Sequence, residues 1–253
     1  MTSIEKTNVV HFALDVAEQL LTSGGEVGRA EDTVSRICMA YDAVRVDAFA
    51  ITSAIMVTVT WEDGTSNSEG RRVHNPKKNM RRLERLNALS RKVCNEHFPL
   101  TEAKAEYAKI MQKDRFSLGR ELLGAIIVAL TCTLFFGGTW NDAIVAPLVG
   151  VSIVFTQILS SKIGGNRMLS QMMSAFIASS IAIFGVALHV GSSVEQIMIG
   201  CIMILIPGIA FTTALRDVIN GDTLAGLIGL CEAVLRALAV AIGFAAMLML
   251  TGG

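Results

Sequence analysis

Residues 223–250 read TLAGLIGLCEAVLRALAVAIGFAAMLML, with Glu232 and Arg236 as the only charged side chains in the run. A helix rises 1.5 Å per residue, so about 20 apolar residues cross roughly 30 Å of hydrocarbon, and this stretch is long enough to do so. Working outward, residues 119–138, 143–161, 170–190 and 196–215 are of the same kind. The chain of 253 residues is 52% hydrophobic and 17% charged, and of its 22 basic and 22 acidic residues only four and five lie beyond residue 121. That asymmetry excludes a uniformly soluble globule, a nucleic-acid binder driven by overall charge and a disordered chain. The fold expected is a multi-pass α-helical membrane protein with five transmembrane helices, spanning 119–253, and an N-terminal cytoplasmic α+β domain over 1–118.

Short loops set the orientation, because basic residues resist translocation. Lys162 and Arg167 fall between the second and third spans and Arg216 after the fourth, whereas 137–142 and 191–195 carry no Lys or Arg. The N-terminus is therefore expected in the cytoplasm and Gly253 outside. Glu5, Lys6, Asp15 and Glu18 interrupt the first apolar run, so no signal peptide is expected.

The first 118 residues change period. Val10, Leu14, Ala17 and Leu21 mark a helix face ending at Gly24-Gly25, and a second helix is expected from about Glu26 to Tyr41. Residues 44–51 and 55–61 alternate as strands, and Asp63-Gly64 supplies a turn for a hairpin returning through about Val73. Leu83, Leu86, Leu89 and Val93 indicate a third helix and 102–111 a fourth.

Candidate chemistry falls in three places. Glu26, Arg29, Thr33 and Arg36 start the second helix, the last three at i, i+4 and i+7, where two guanidinium groups and a hydroxyl could hold a carboxylate; the same spacing also suits a solvated face with an Asp32/Arg36 pair. The run from Arg71 to Lys92 holds nine basic residues and one acid, Glu84, and suits either anionic lipid headgroups or plain solvation. It lacks interleaved aromatics, which argues against nucleic acid.

The third place is 206–236. Pro207 lies near the middle of the fourth span, where it removes a backbone donor and clashes with the carbonyl of Met203; beside Gly208 it yields a kink or a full break. Open backbone at membrane depth is tolerated in protein or at a wet cavity, as in transporter substrate sites. Arg216, Asp217 and Asp222 follow at the cytoplasmic end, where Arg216 also reads as an anchor and Asp222 as a helix N-cap. Glu232 and Arg236 lie one turn apart well inside the fifth span, where a lone charge costs at least about 2.5 kcal/mol. They must face protein or water, as a structural salt bridge or as a site for a proton or an anion. Pro207, Gly208, Arg216, Asp217, Asp222, Glu232 and Arg236 are the candidate substrate- or ion-binding residues. Ala225, Gly229, Ala233, Ala237, Ala241 and Ala245 form a small-residue ridge along the same span, which implies a closely packed partner. Five cysteines without CxxC spacing, and no Walker or Rossmann loop, leave no metal or cofactor expected and no catalytic residue assigned.

Gly25-Glu26 through Glu31-Asp32-Thr33, Asn87-Ala-Leu-Ser-Arg91, Pro207-Gly208, Arg216-Asp217, Gly221-Asp222 and Glu232-Ala233 resemble, in that order, the threonine/serine exporter family. The resemblance covers nearly the whole chain. Full-length members carry a second membrane domain, so the chain resembles the larger subunit of the split, two-component exporters. The resemblance implies a small integral-membrane partner subunit in the bacterial inner membrane and a small carboxylate or amino-acid substrate: threonine/serine in single-chain members, succinate in the split type. Two other readings fit the residues less well. An intramembrane aspartyl protease built on Asp222 lacks a second aspartate in a facing span, and a membrane-anchored sensor or scaffold leaves Glu232 and Arg236 without a purpose.

Overall fold

The computed structural model describes residues 2–74, 78–95, 98–112, 118–163 and 166–251. Pro76-Lys77 of the basic run, residues 164–165 of the loop after the second span, and Gly253 lie outside the described residues. The chain divides by packing into two compact units, Met1–Arg115 with Ile209–Cys231, and Phe116–Gly208 with Glu232–Gly253.

In the first unit, α1 (Ser3–Thr22) starts from a capping box in which the Thr2 hydroxyl accepts the Glu5 N–H and the Glu5 carboxylate accepts the Thr2 N–H. Its apolar face, including Val10, Leu14, Ala17 and Leu21, is buried. It ends where the periodicity places its end: Gly24 has φ +96°, a conformation that favours glycine, and a side chain at Gly25 would meet the Leu20 carbonyl at 2.9 Å. The chain then forms α2 (Val27–Ala40), β1 (Ala43–Ile51), β2 (Ala54–Trp61), β3 (Ser66–Arg72), α3 (Met80–Asn95) and α4 (Leu100–Gln112). The sheet is antiparallel in the order β1-β2-β3, and Gly64 takes φ +78° in the β2–β3 turn. Alternation along β2 buries Ile55, Val57, Val59 and Trp61 in one core with α1, α2 and α3 and leaves Met56 exposed. Each such large side chain, fully buried, contributes about 1.5–3 kcal/mol.

In the second unit, α5 (Leu118–Phe135), α6 (Trp140–Ile163), α7 (Arg167–Ala187) and α8 (Val194–Leu205) pack through small residues. A Cβ on Gly150 would come within 2.9 Å of the Ala125 carbonyl, and one on Gly200 within 2.2 Å of the Thr133 hydroxyl. Lipid is as apolar as leucine, so helix association there depends on this kind of close approach. The Asp142 carboxylate, at the start of α6, accepts from the N–H groups of Thr139, Ser192 and Ser193 at 2.7–2.9 Å, fixing the loop between α7 and α8.

Four helices among the described residues, α5, α6, α7 and α10 (Thr223–Thr251), are long and apolar enough to cross a membrane. The fourth expected span, 196–215, is not one continuous helix. It is a pair, α8 and α9 (Gly208–Ile219), bent by 52° at the break, and counting the pair as one span gives five. Ile206 is extended at ψ 126°, the conformation favoured before proline, and Pro207 has no N–H to continue the ladder. At about 18 Å, the 12-residue α8 is too short to cross alone.

Candidate functional site

The break has a consequence within the first unit, because α9 and the start of α10 are packed there with α2. Glu26 is the N-cap residue of α2, with φ −71° and ψ 148°, and its side chain makes no capping hydrogen bond. Its carboxylate accepts instead from Arg216 Nη1 at 2.6 Å, a pair 190 positions apart in sequence. Asp217, 3% exposed, accepts the Val27 N–H at 3.3 Å. Asp222 approaches the next residue so closely that a Cβ on Gly28 would lie 2.7 Å from its Oδ2. The amino end of α2 therefore receives both carboxylates from another part of the chain; the helix dipole favours negative charge there, and the burial of Asp217 opposes it.

Beside this junction is a cavity of about 350 Å³. Glu26, Arg29, Asn87, Thr212, Thr213 and Arg216 give it polar groups, and Met80, Leu83 and Ile209 give it an apolar wall. Arg29 makes no ion pair among the described residues, whereas Arg216 is held by Glu26. Two guanidinium groups, one carboxylate, an amide and two hydroxyls in a space of this size can orient a small carboxylate-bearing molecule.

The second-helix candidates part company. Glu26 and Arg29 line the cavity, Thr33 is buried against the core at 4% exposure, and Arg36 is exposed and paired with Asp32 at 2.8 Å. Farther along α2, the Glu31 carboxylate accepts the Ala50 N–H at 2.6 Å; burial pushes its pKa up, and Asp222 adds to the rise against that hydrogen bond. The Cys38 thiol is pushed up to about 12 by burial and is unreactive. Much of the basic run is engaged: Arg71 pairs with Asp15 and Glu18, Arg82 donates to Gln19, and Lys92 meets Glu106 at 3.0 Å. Among the described residues, no group of three or more His, Cys, Asp or Glu is placed to hold a metal.

In the second unit, Arg236 Nη2 donates to Glu232 Oε2 at 3.2 Å, with the arginine side chain 19% and the glutamate 45% exposed. Arg167 at the start of α7 lies within electrostatic reach of both. Sequence reasoning did not assign Asn87, Thr212 or Thr213 to a site. Asn87 had a signal, since it opens the Asn-Ala-Leu-Ser-Arg motif; the two threonines are recognisable only once α9 is known to turn at Pro207.

The family model described as "Putative threonine/serine exporter" (ThrE) matches residues 11–251. The chain is 23% identical over 256 residues to a protein of Escherichia coli K12 named "Probable succinate transporter subunit YjjP", covering 100% of this chain and 98% of that protein. It is 25% identical over 243 residues to a protein of the same name from Klebsiella aerogenes, covering 94% and 92%. No solved structure matches. With the family matched across both units and the membrane-length helices in place, the chain belongs to the ThrE threonine/serine exporter family, a family of membrane transporters.

Proposed function

We propose that this chain is the larger subunit of a secondary exporter in the bacterial inner membrane, that it moves a small carboxylate-bearing metabolite, succinate or threonine/serine, and that it works with a small integral-membrane partner. The observation that carries this reading is the cavity, which Arg29 of α2 and Arg216 of α9 both line, with Glu26 paired to Arg216. In the proposal it is the cytoplasmic station at which substrate is taken up. Residues 1–118 form the cytoplasmic domain and 119–253 the membrane domain. The orientation rests on Lys162, Arg167 and Arg216, and it agrees with the Arg216–Glu26 pair, which puts the end of α9 on the side of the N-terminal module. Pro207 and Gly208 open the helix, Asp217 and Asp222 hold the junction with α2, and Glu232 with Arg236 forms a site for a proton or an anionic group farther along the path.

The partner reading draws on two observations. Both relatives are named as subunits. On α10 the small-residue ridge is covered at Ala225 and Ala233 but exposed at Ala237, Ala241 and Ala245, which offers close packing to another helix.

Counterflow in proteoliposomes tests the proposal, with labelled succinate and labelled serine, with and without a candidate small partner, for the unaltered chain and Arg216→Gln. Uptake that needs the partner and is lost with Arg216→Gln is expected. Unchanged uptake by Arg216→Gln would remove the cavity from the path, and full activity of this chain as a monomer would remove the partner.

A further inference from the structure

Glu26 is a carboxylate that the fold has diverted. An N-cap side chain ordinarily satisfies a donor of its own helix, and this one does not. The Val27 donor is served by Asp217, the residue after Arg216, and Glu26 is left to hold the Arg216 guanidinium at 2.6 Å in the cavity wall. Its side chain is 22% exposed and that of Arg216 66%, so the pair can be reached from the cavity and is not sealed in the core. Arg29, on the next turn of α2, lines the same space without an ion-pair partner among the described residues. A cavity with the chemistry of a carboxylate site therefore already holds one carboxylate on one of its two guanidinium groups.

We propose that Glu26 is a built-in competitor for the ligand, whose carboxylate takes its place on Arg216. This inference rests on the carboxylate reading above and adds a mechanism to it. Glu26 belongs to α2 and Arg216 to α9, the helix that restarts just past Pro207. Exchange of the partner on Arg216 therefore undoes one tie between α9 and the amino end of α2 and leaves Asp217 on Val27 in place. Ligand entry is in this way linked to the hold on α9. Specificity follows from the same geometry: a neutral molecule cannot displace Glu26, because it brings no charge to replace the one Arg216 gives up.

The test is calorimetric titration of the purified full-length chain with succinate and, separately, with serine. Glu26→Gln removes the competitor's charge. Glu26→Ala removes the competing carboxylate and leaves no side-chain acceptor for Arg216, so it separates loss of the competitor from any effect of the glutamine amide. Both should bind about three- to tenfold tighter than the unaltered chain, the range for release of a half-exposed charge pair. Arg216→Gln should lose binding. If Glu26→Gln is no tighter, or only Glu26→Gln is tighter while Glu26→Ala matches the unaltered chain, the competitor is overturned; loss of binding in Arg216→Gln would still uphold the carboxylate site. If Arg216→Gln binds like the unaltered chain, or nothing binds to any of them, the carboxylate reading fails and takes the competitor with it.

Discussion

Two carboxylate–guanidinium pairs, Glu26–Arg216 and Glu232–Arg236, differ in nearly everything but their chemistry. The first joins residues 190 apart at 2.6 Å in a cavity wall; the second joins neighbours one helical turn apart at 3.2 Å on α10. An i,i+4 pair forms wherever its helix forms, and in water such a pair is worth only about 0.3–0.5 kcal/mol. The tertiary pair exists only because the fourth span breaks, so that α9 packs with α2. The long-range pair thus reports the architecture and lies where a ligand can reach it, while the local pair reports what an apolar helix tolerates. The proposal gives the first the task of binding and the second a task on the path.

After the loss of binding expected of Arg216→Gln, the largest effect expected is at Arg29, which lines the same cavity. Arg29→Gln should lower carboxylate affinity tenfold or more, an estimate from the worth of a charge-assisted contact of about 1.5–3 kcal/mol, whereas Arg36→Gln on the same helix should change neither affinity nor stability measurably. Equal losses at the two positions, measured by calorimetry, would spread the site along α2 and break the distinction.

Next is the break itself. Pro207→Leu restores the missing N–H donor and removes the clash that ends α8, favouring a continuous helix. Membrane abundance should be kept or raised while export falls severalfold; undiminished export would mean that the bend is incidental.

The second pair is addressed by exchanging its charges, Glu232→Arg with Arg236→Glu. The exchange keeps a neutral pair, so abundance should recover relative to Glu232→Gln, which strands a partly buried guanidinium that cannot lose its charge. Export should remain low, because the positive centre has moved one turn. Restored export in the exchanged protein would reduce Glu232–Arg236 to architecture.

The smallest effect is at Glu31. Burial raises its folded-state pKa, so the folded chain binds this proton more readily than the unfolded chain, and the cost of the charge is present above the folded pKa and relieved as pH falls through it. Glu31→Gln keeps an acceptor for the Ala50 N–H and removes that cost. Melting temperature should rise slightly at pH 7 and converge with that of the unaltered chain under acid; a fall at pH 7 would show that the carboxylate charge is needed there.

These contrasts also mark what could be read from the residues alone. The apolar face of α1, the stop at Gly24-Gly25, the alternation that buries Ile55 to Trp61 and the membrane-length runs other than 196–215 are local patterns, and each appears in the structure. Spacing put Arg29, Thr33 and Arg36 along one side of α2 but could not show that Thr33 falls within the stripe of Ala30, Val34 and Ile37 that the core covers. Nor could it bring Thr212, Thr213 and Arg216 to Glu26. That meeting depends on where α9 goes after Pro207, which is decided by packing and not by any neighbour in sequence.

In the proposed site a ligand carboxylate is held by both Arg29 and Arg216, and arginine footprinting reads that contact residue by residue. The purified chain is treated with a dicarbonyl reagent with and without saturating succinate or serine, and modification of each arginine is read by mass spectrometry. Ligand is expected to protect Arg29 and Arg216 and to leave Arg36 and Arg45 as reactive as before. Protection spread evenly over all four, or absent from Arg29 and Arg216 under conditions where transport is saturated, would contradict it.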